Sequence, residues 1–87
     1  MTAIASTVTI RVLLFAGYAE LLGSDAVEIV LDNPARVRDA VEQLRAFPGG
    51  ERLPAKPLCA LNLTQVTPDT LLSPGDELAI LPPLSGG

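Results

Sequence analysis

The sequence predicts an α+β fold in which one main helix packs across a mixed sheet of four to five strands. Two segments that alternate apolar and polar residues come first, and a segment with helical spacing of its apolar residues follows them. Short strand-like segments then return, and this order is typical of a two-layer α+β domain. The 87 residues suffice for a single domain. We divide residues 1–87 into a globular body over residues 7–81 and a tail over residues 82–87.

The first two strands are predicted from residue alternation. The first strand is predicted over residues 7–15, which begin with the alternation of a strand with one wet face. Leu13 and Phe15 break the polar side, so the end of this strand is apolar on both faces. Tyr18–Leu22 lies between two glycines and is long enough for one or two helical turns. Residues 26–31 alternate again and predict the second strand. Arg11 and Glu28 both fall on the outer faces, so we expect them to pair across the two strands.

The main helix is predicted to begin at Asn33 and Pro34. Asparagine is a favoured N-cap residue, and proline suits the first helical position. Apolar residues then recur at i, i+3, i+4 and i+7, which indicates an amphipathic helix. These residues are Val37, Ala40, Val41 and Leu44. Pro48 should end the helix.

Three further strands are predicted after the helix. Residues 47–57 are rich in proline and glycine and are expected to form a loop. Leu58–Leu61 should be a short buried strand, residues 65–67 a brief strand, and Glu77–Leu81 the last strand. The chain therefore ends on a strand that leads directly into the tail.

Composition excludes several classes of function. The net charge of −4 and the single lysine, Lys56, argue against nucleic acid as a partner, because phosphate binding needs a cationic surface. No segment resembles a signal peptide, and no apolar run approaches the ~20 residues that cross a bilayer. One cysteine, Cys59, cannot form an internal disulfide. We expect a cytoplasmic protein that does not bind membranes.

The side chains offer little for catalysis or for metal binding. There is no histidine, which removes the commonest general base and metal ligand, and we predict no metal site. Cys59 lies in an apolar run without a basic neighbour, so we interpret it as a small core residue. The carboxylates of Asp32, Asp69 and Asp76 fall at predicted turns, so we do not expect a catalytic pair.

The C-terminal Gly86-Gly87 pair is the most distinctive motif of the sequence. Because glycine has no Cβ atom, such a pair can enter a channel too narrow for other residues. Pro82-Pro83 favours an extended segment, and the six residues from Pro82 to Gly87 reach at most ~20 Å. The terminal carboxylate becomes reactive only after adenylation, for which a partner must supply the machinery. A frayed chain end and a simple strand-ending Pro-Pro pair are the alternatives.

The order of elements resembles the β-grasp, or ubiquitin-like, fold, which implies parallel first and last strands at the sheet centre. The motifs resemble the small, sulfur-carrying subunits of molybdopterin synthase (MoaD type). The resemblance rests on residues 12–16, 20–23 and 61–62, and on residues 74–87 with their Pro-Gly-Asp-Glu, Pro-Pro and Gly-Gly groups. Two departures are Ala19, where the family often has arginine, and Leu63-Thr64, where it usually has a more polar turn.

The resemblance implies that Gly87 is adenylated, converted to a thiocarboxylate, and donates sulfur to cyclic pyranopterin monophosphate during molybdenum cofactor synthesis. It implies that the chain is not catalytic alone and binds no cofactor, since the activating enzyme uses the ATP. The implied partners are an E1-like adenylating enzyme, a cysteine desulfurase or rhodanese-like sulfur donor, and the large synthase subunit, in a heterotetramer. The tail residues that thread into the large subunit would be Pro82, Pro83, Leu84, Ser85 and Gly86. The docking residues would be Phe15, Leu81 and Leu84.

Three other functions remain open from the sequence. A sulfur carrier of the thiamin thiazole pathway shares the fold and the Gly-Gly end, although the chain length and Pro82-Pro83 argue against it. A ubiquitin-like modifier would join its terminus to lysines of other proteins. A plain protein-binding module would leave the tail without a chemical role. Phe15 and Leu81 would then be ordinary packing residues.

Overall fold

The strands form one mixed sheet in the computed structural model, which describes residues 6–83. The sheet order is β2-β1-β5-β3-β4. A six-residue helix, α1, follows β1, and the main helix α2 follows β2. The elements are β1 (Thr7–Leu14), α1 (Gly17–Leu22), β2 (Ala26–Asp32), α2 (Val37–Arg45), a 3-10 turn (Gly50–Arg52), β3 (Leu58–Leu61), β4 (Thr64–Val66) and β5 (Glu77–Leu81).

The first and last strands pair in parallel at the centre of the sheet, where Leu14 lies opposite Ile80. β1 also pairs antiparallel with β2, and Arg11 faces Glu28 across that pair as predicted. β5 pairs antiparallel with β3, which forms a hairpin with β4. A mixed sheet with one main helix and parallel central strands is the ubiquitin-like β-grasp arrangement, so the predicted fold is confirmed.

The core lies between α2 and one face of the sheet. The apolar stripe predicted for the helix is buried as expected, since Val37, Ala40, Val41 and Leu44 are each at most 4% exposed. The alternate residues of β1 face this stripe and are at most 2% exposed; they are Val8, Ile10, Val12 and Leu14. Burial of each large aliphatic side chain contributes about 1.5–3 kcal/mol. No polar side chain within residues 6–83 is buried.

The predicted start of the main helix is wrong by three residues. Helix α2 begins at Val37 with Arg36 as its N-cap, and the Asn33–Pro34 peptide bond is cis. The residues before Val37 are held extended, because the Leu72 amide donates to the Ala35 carbonyl at 2.8 Å. The Asp39 carboxylate accepts from the Arg36 amide at 2.8 Å and fixes the helix start there.

Besides β2, which extends one residue further than predicted, to Asp32, two strands differ from their predicted bounds. β1 ends at Leu14, so residue 15 lies outside the strand, and β4 covers Thr64–Val66, one residue earlier than predicted. The tight Asn62-Leu63 turn explains the second shift, because Leu61 pairs directly with Thr64 across it. A two-residue turn leaves no residue between the turn and the strand.

Residues 47–57 form a loop as predicted, and the loop contains the 3-10 turn and packs against the body at Gly50 and Leu53. Leu53 is 2% exposed, and the Arg45 guanidinium donates to its carbonyl at 2.9 Å. Gly50 lies so close to α2 that a Cβ atom there would meet the Leu44 carbonyl oxygen at 1.9 Å. This connection therefore fixes the C-terminal end of α2 against the body. None of the helices within residues 6–83 is long and apolar enough to cross a membrane.

Candidate functional site

The candidate site is the end of the sheet from which the tail leaves. β5 ends at Leu81, after which Pro82 is half-buried and Pro83 is exposed. The predicted tail residues Leu84, Ser85, Gly86 and Gly87 lie outside the described residues. The structure therefore describes the first two tail residues, Pro82 and Pro83, which we call the root of the tail, and the surfaces that surround them.

Phe15 lies beside the root of the tail, as the β-grasp arrangement requires. Leu14 and Ile80 are register partners, so Phe15 and Leu81 leave the central strands at the same end of the sheet. Phe15 is 44% exposed and Leu81 is half-buried. The turn that follows puts Ala16 at φ 51°, and the Phe15 carbonyl accepts from the Tyr18 amide at 3.0 Å. The two apolar side chains predicted to dock a partner are thus brought to one end of the molecule.

The sheet face turned away from α2, which we call the outer face, continues this apolar surface. Leu13, Ala79 and Ala60 lie in one row across β1, β5 and β3, and Leu58 lies opposite Leu81. All four are half-buried. The sequence places Leu13 on the polar side of β1, but it did not predict that Ala60, Ala79 and Leu58 share this face. The sequences of β3 and β5 are almost entirely apolar, so residue alternation could not show which residues face the core and which lie on the outer face.

The other half of the outer face is polar. Arg11 lies between Glu28 on β2 and Glu77 on β5 in the same row. Thr9 continues that half, with Val30 beside it at 52% exposure. Apart from Val30, the apolar residues of the outer face therefore lie on the half that adjoins the tail.

An open groove also adjoins the root of the tail. It has a volume of about 510 Å³, and its walls include Tyr18, Pro57, Leu81 and Pro83. Lys56 lies at this groove and supplies its cationic group. Sequence reasoning assigned no function to Tyr18 or Lys56, because neither belongs to a motif and only the fold brings them to Pro83.

The opposite end of the sheet is held by a set of polar hydrogen bonds. The Asn62 side chain accepts from the Glu77 amide at 3.0 Å and donates to the Asp76 carboxylate at 3.1 Å. Asp76 also accepts from the Ser73 amide at 2.7 Å. These contacts attach the β3–β4 hairpin to the start of β5 and fix the register of the strand that carries the tail.

The β3–β4 turn contains an unusual leucine. Asn62 and Leu63 have φ values of 48° and 74°, and Leu63 is 95% exposed. Turns with positive φ at both central residues favour Asn-Gly. A leucine in this conformation costs about 1–2 kcal/mol, and its exposed side chain recovers none of that by packing.

Cys59 is a core residue, as predicted. It is 3% exposed, and burial raises its pKa to about 11, so the thiol stays protonated at neutral pH. A protonated buried thiol is a poor nucleophile. Among residues 6–83, no group of three or more cysteine or acidic side chains is arranged to hold a metal ion.

Comparison with known proteins identifies relatives of the whole chain. Residues 12–87 match the ThiS family. The molybdopterin synthase sulfur carrier subunit of Escherichia coli (strain K12) is 39% identical over 85 residues, which cover 90% of this chain and 99% of that protein. The similarity thus extends over nearly the full length of both chains.

Solved structures agree with the fold. A putative molybdopterin converting factor subunit 1 from Pyrococcus furiosus is 30% identical, covering 88% of this chain and 99% of that one, with a TM-score of 0.79. SAMP1 from Haloferax volcanii is 30% identical, covering 91% of this chain and 99% of that one, with a TM-score of 0.77. A chain from the complex of subunits 1 and 2 of molybdopterin-converting factor of Helicobacter pylori 26695 shares the fold at 21% identity, covering 91% and 99%, with a TM-score of 0.65.

Proposed function

Because the chain belongs to the ThiS family, among the sulfur carrier subunits of molybdopterin synthase, we propose that its C-terminal carboxylate carries the sulfur. An E1-like enzyme transfers AMP from ATP to Gly87 with release of pyrophosphate. A sulfur donor, such as a cysteine desulfurase or rhodanese-like protein, then attacks the acyl-adenylate through its cysteine persulfide and displaces AMP. A thiol reduces the resulting acyl disulfide, which leaves the thiocarboxylate on Gly87 and forms a disulfide with the donor cysteine. The carrier binds no cofactor itself, since ATP belongs to the activating partner, and the reactions take place in the cytoplasm.

The thiocarboxylate then donates its sulfur to cyclic pyranopterin monophosphate in the large synthase subunit, which contributes the catalytic side chains. Hydrolysis of the acyl group returns Gly87 to a carboxylate, so the carrier can be charged again. Two carriers and two large subunits form a heterotetramer. The complex of subunits 1 and 2 from Helicobacter pylori supports this partner, although that chain shares only the fold with this one.

The observation that carries the proposal is the position of the tail root beside an apolar surface. Parallel pairing of β1 and β5 brings the last strand to the centre of the sheet and releases the chain next to Phe15. Phe15 and Leu81, with the apolar rows of the outer face, form a docking surface at that end. The body can therefore bind a partner while Pro82–Gly87, with a reach of at most ~20 Å, enters the partner's active site.

Reconstituted sulfur transfer tests the proposal. The charged carrier, the large subunit and cyclic pyranopterin monophosphate should yield molybdopterin. Deletion of Gly87 should abolish this product while leaving the melting temperature and the affinity for the large subunit unchanged. Gly86→Ala is the matched variant, because it keeps the terminal carboxylate but adds a Cβ atom to the tail. Its conversion to the thiocarboxylate and its sulfur donation should both be slower than those of the wild type. Product formation by the truncated chain would contradict the proposal.

A second candidate function is conjugation to lysines. The similarity to SAMP1, the small archaeal modifier protein 1 of Haloferax volcanii, favours this candidate. The same activated Gly87 would then be attacked by a lysine amine in place of a sulfur nucleophile. Mass spectrometry of cell extracts distinguishes the two reactions, because conjugation produces isopeptide-linked adducts. A chain found only as free carboxylate and thiocarboxylate would argue against this candidate.

A further inference from the structure

We propose that Leu63, at the tip of the β3–β4 hairpin, is a second apolar anchor for the large synthase subunit, remote from the tail. The inference rests on the proposed function, because it adds a contact to the same complex. Two properties of Leu63 argue against a role of its side chain in folding. Leu63 is 95% exposed, and its backbone has a φ of 74°, where glycine would be relaxed.

The fold gains nothing from leucine at this position. The turn is already defined by Asn62, whose side chain bonds the Glu77 amide and the Asp76 carboxylate. The second turn residue needs only to tolerate a positive φ, which glycine does without strain. A strained and exposed leucine therefore indicates a contact outside the chain.

The geometry places Leu63 within reach of a partner docked on the outer face. The apolar surface runs from Leu81 and Leu58 to Ala60, and the polar row of Arg11 and Glu77 lies between it and the hairpin tip. Four residue steps along β3, from Leu58 to Asn62, span about 13 Å. A typical partner covers about 800 Å² on each side, or roughly 28 Å across, so one protein can cover both ends. Leu63 and Leu81 would then fix the direction in which the tail points.

The surroundings of Leu63 define what the large subunit must present. The Asp76 carboxylate lies beside the turn, since it accepts a hydrogen bond from the Asn62 side chain. The chain as a whole carries a net charge of −4. The complementary surface is thus an apolar socket with a basic rim.

The test compares the wild-type chain with Leu63→Gly in binding to the purified large subunit by isothermal titration calorimetry. Leu63→Gly should weaken binding about tenfold, the loss expected when one apolar anchor leaves an interface. The same variant should melt no lower than the wild type, because relief of the positive φ offsets the added chain entropy. Leu63→Met should bind within about threefold of the wild type, since it keeps an apolar side chain of similar volume.

Leu71→Ser is the matched control. Leu71 is also an exposed leucine, at 54%, but it bridges Arg36 on the helix side of the molecule, away from the outer face. Its replacement should leave the affinity unchanged. Equal binding by the wild type and Leu63→Gly would overturn the inference and leave the proposed function intact. A loss confined to the adenylating enzyme would overturn the assignment to the large subunit. No binding by the wild-type chain would overturn both proposals.

Discussion

Leu14 and Ile80 lie opposite each other in the parallel pairing of β1 and β5. Both are at most 2% exposed, so this contact belongs to the core. The next residue of each strand, Phe15 and Leu81, is more exposed and lies at the tail end of the sheet. One buried pair therefore sets the position of Phe15 and Leu81, which we propose as docking side chains, relative to the root of the tail.

The first prediction concerns this docking surface. Phe15→Ser should weaken binding to the large subunit by about tenfold or more, because it removes a large apolar contact next to the tail. The affinity can be measured by calorimetry with the uncharged chain. The melting temperature should fall only slightly, since the ring is already 44% exposed.

Val30→Ser provides the control for Phe15→Ser. Val30 is 52% exposed but lies beside Thr9, on the polar half of the outer face. It should bind the large subunit as tightly as the wild type. An equal loss for Val30→Ser and Phe15→Ser would contradict the assignment of the interface to the tail end.

A second prediction tests the packed connection after α2. Gly50→Ala should lower the free energy of unfolding by about 2 kcal/mol or more, because the new Cβ atom would lie 1.9 Å from the Leu44 carbonyl oxygen. Urea denaturation followed by circular dichroism measures the change. Gly17→Ala is the control: no atom lies within 4 Å of its added Cβ, so its stability should equal or exceed that of the wild type. Similar losses in both variants would show that the connection is not closely packed.

A third prediction follows from the raised pKa of Cys59. Burial raises the pKa from 9.0 to about 11, so the unfolded chain loses this proton at lower pH than the folded chain. Stability should therefore be unaffected by Cys59 below about pH 9 and should fall as the pH rises towards about 11, by about 2–3 kcal/mol. Urea titrations at several pH values measure this loss.

Cys59→Ala is the comparison that isolates the thiol. It removes the thiol but keeps tyrosine and lysine, whose side chains also titrate in this pH range. The variant should therefore lose less stability than the wild type between pH 9 and 11. The wild-type thiol should also react with a thiol reagent at pH 8 only in urea. Rapid reaction of the native protein would show that Cys59 is accessible.

The fourth prediction concerns the polar contacts at the start of β5. Asn62→Ala removes the acceptor of the Glu77 amide and the donor to Asp76, so it should cost about 1–2 kcal/mol of stability. Gln65→Ala is the control, because Gln65 is exposed on β4 and makes no hydrogen bond through its side chain among those found in residues 6–83. Thermal denaturation of the two variants gives the comparison. Equal melting temperatures would mean that these hydrogen bonds do not hold the hairpin.

Much of the fold could be predicted because its elements follow local patterns. The stripe from Val37 to Leu44 and the alternation of β1 each have a period that only one element satisfies. The helix start could not be predicted, because residues 35–36 are held extended by residues 71–72, which are distant in sequence. Asn33-Pro34 has the local chemistry of a helix start, and a tertiary contact overrides it.

The candidate site was predictable where it lies in a motif and not where it depends on the fold. Phe15 and Leu81 were predicted from the family resemblance, and the sheet register brings them to one end. Ala60 and Ala79 were not predicted, because alanine in an apolar run gives no indication of which face it occupies. Leu63 was predicted only as a departure from the family's more polar turn, and the sequence did not indicate its exposure or its positive φ.

The most direct test of the central claim is the intact mass of the chain after incubation with its adenylating enzyme, ATP and a sulfur donor. We expect a mass increase equal to the difference between one sulfur and one oxygen atom. The increase should be absent without ATP and absent from the chain that lacks Gly87. An unchanged mass with an enzyme that charges a related sulfur carrier, or a gain retained after Gly87 is removed, would contradict the claim that the terminus carries sulfur.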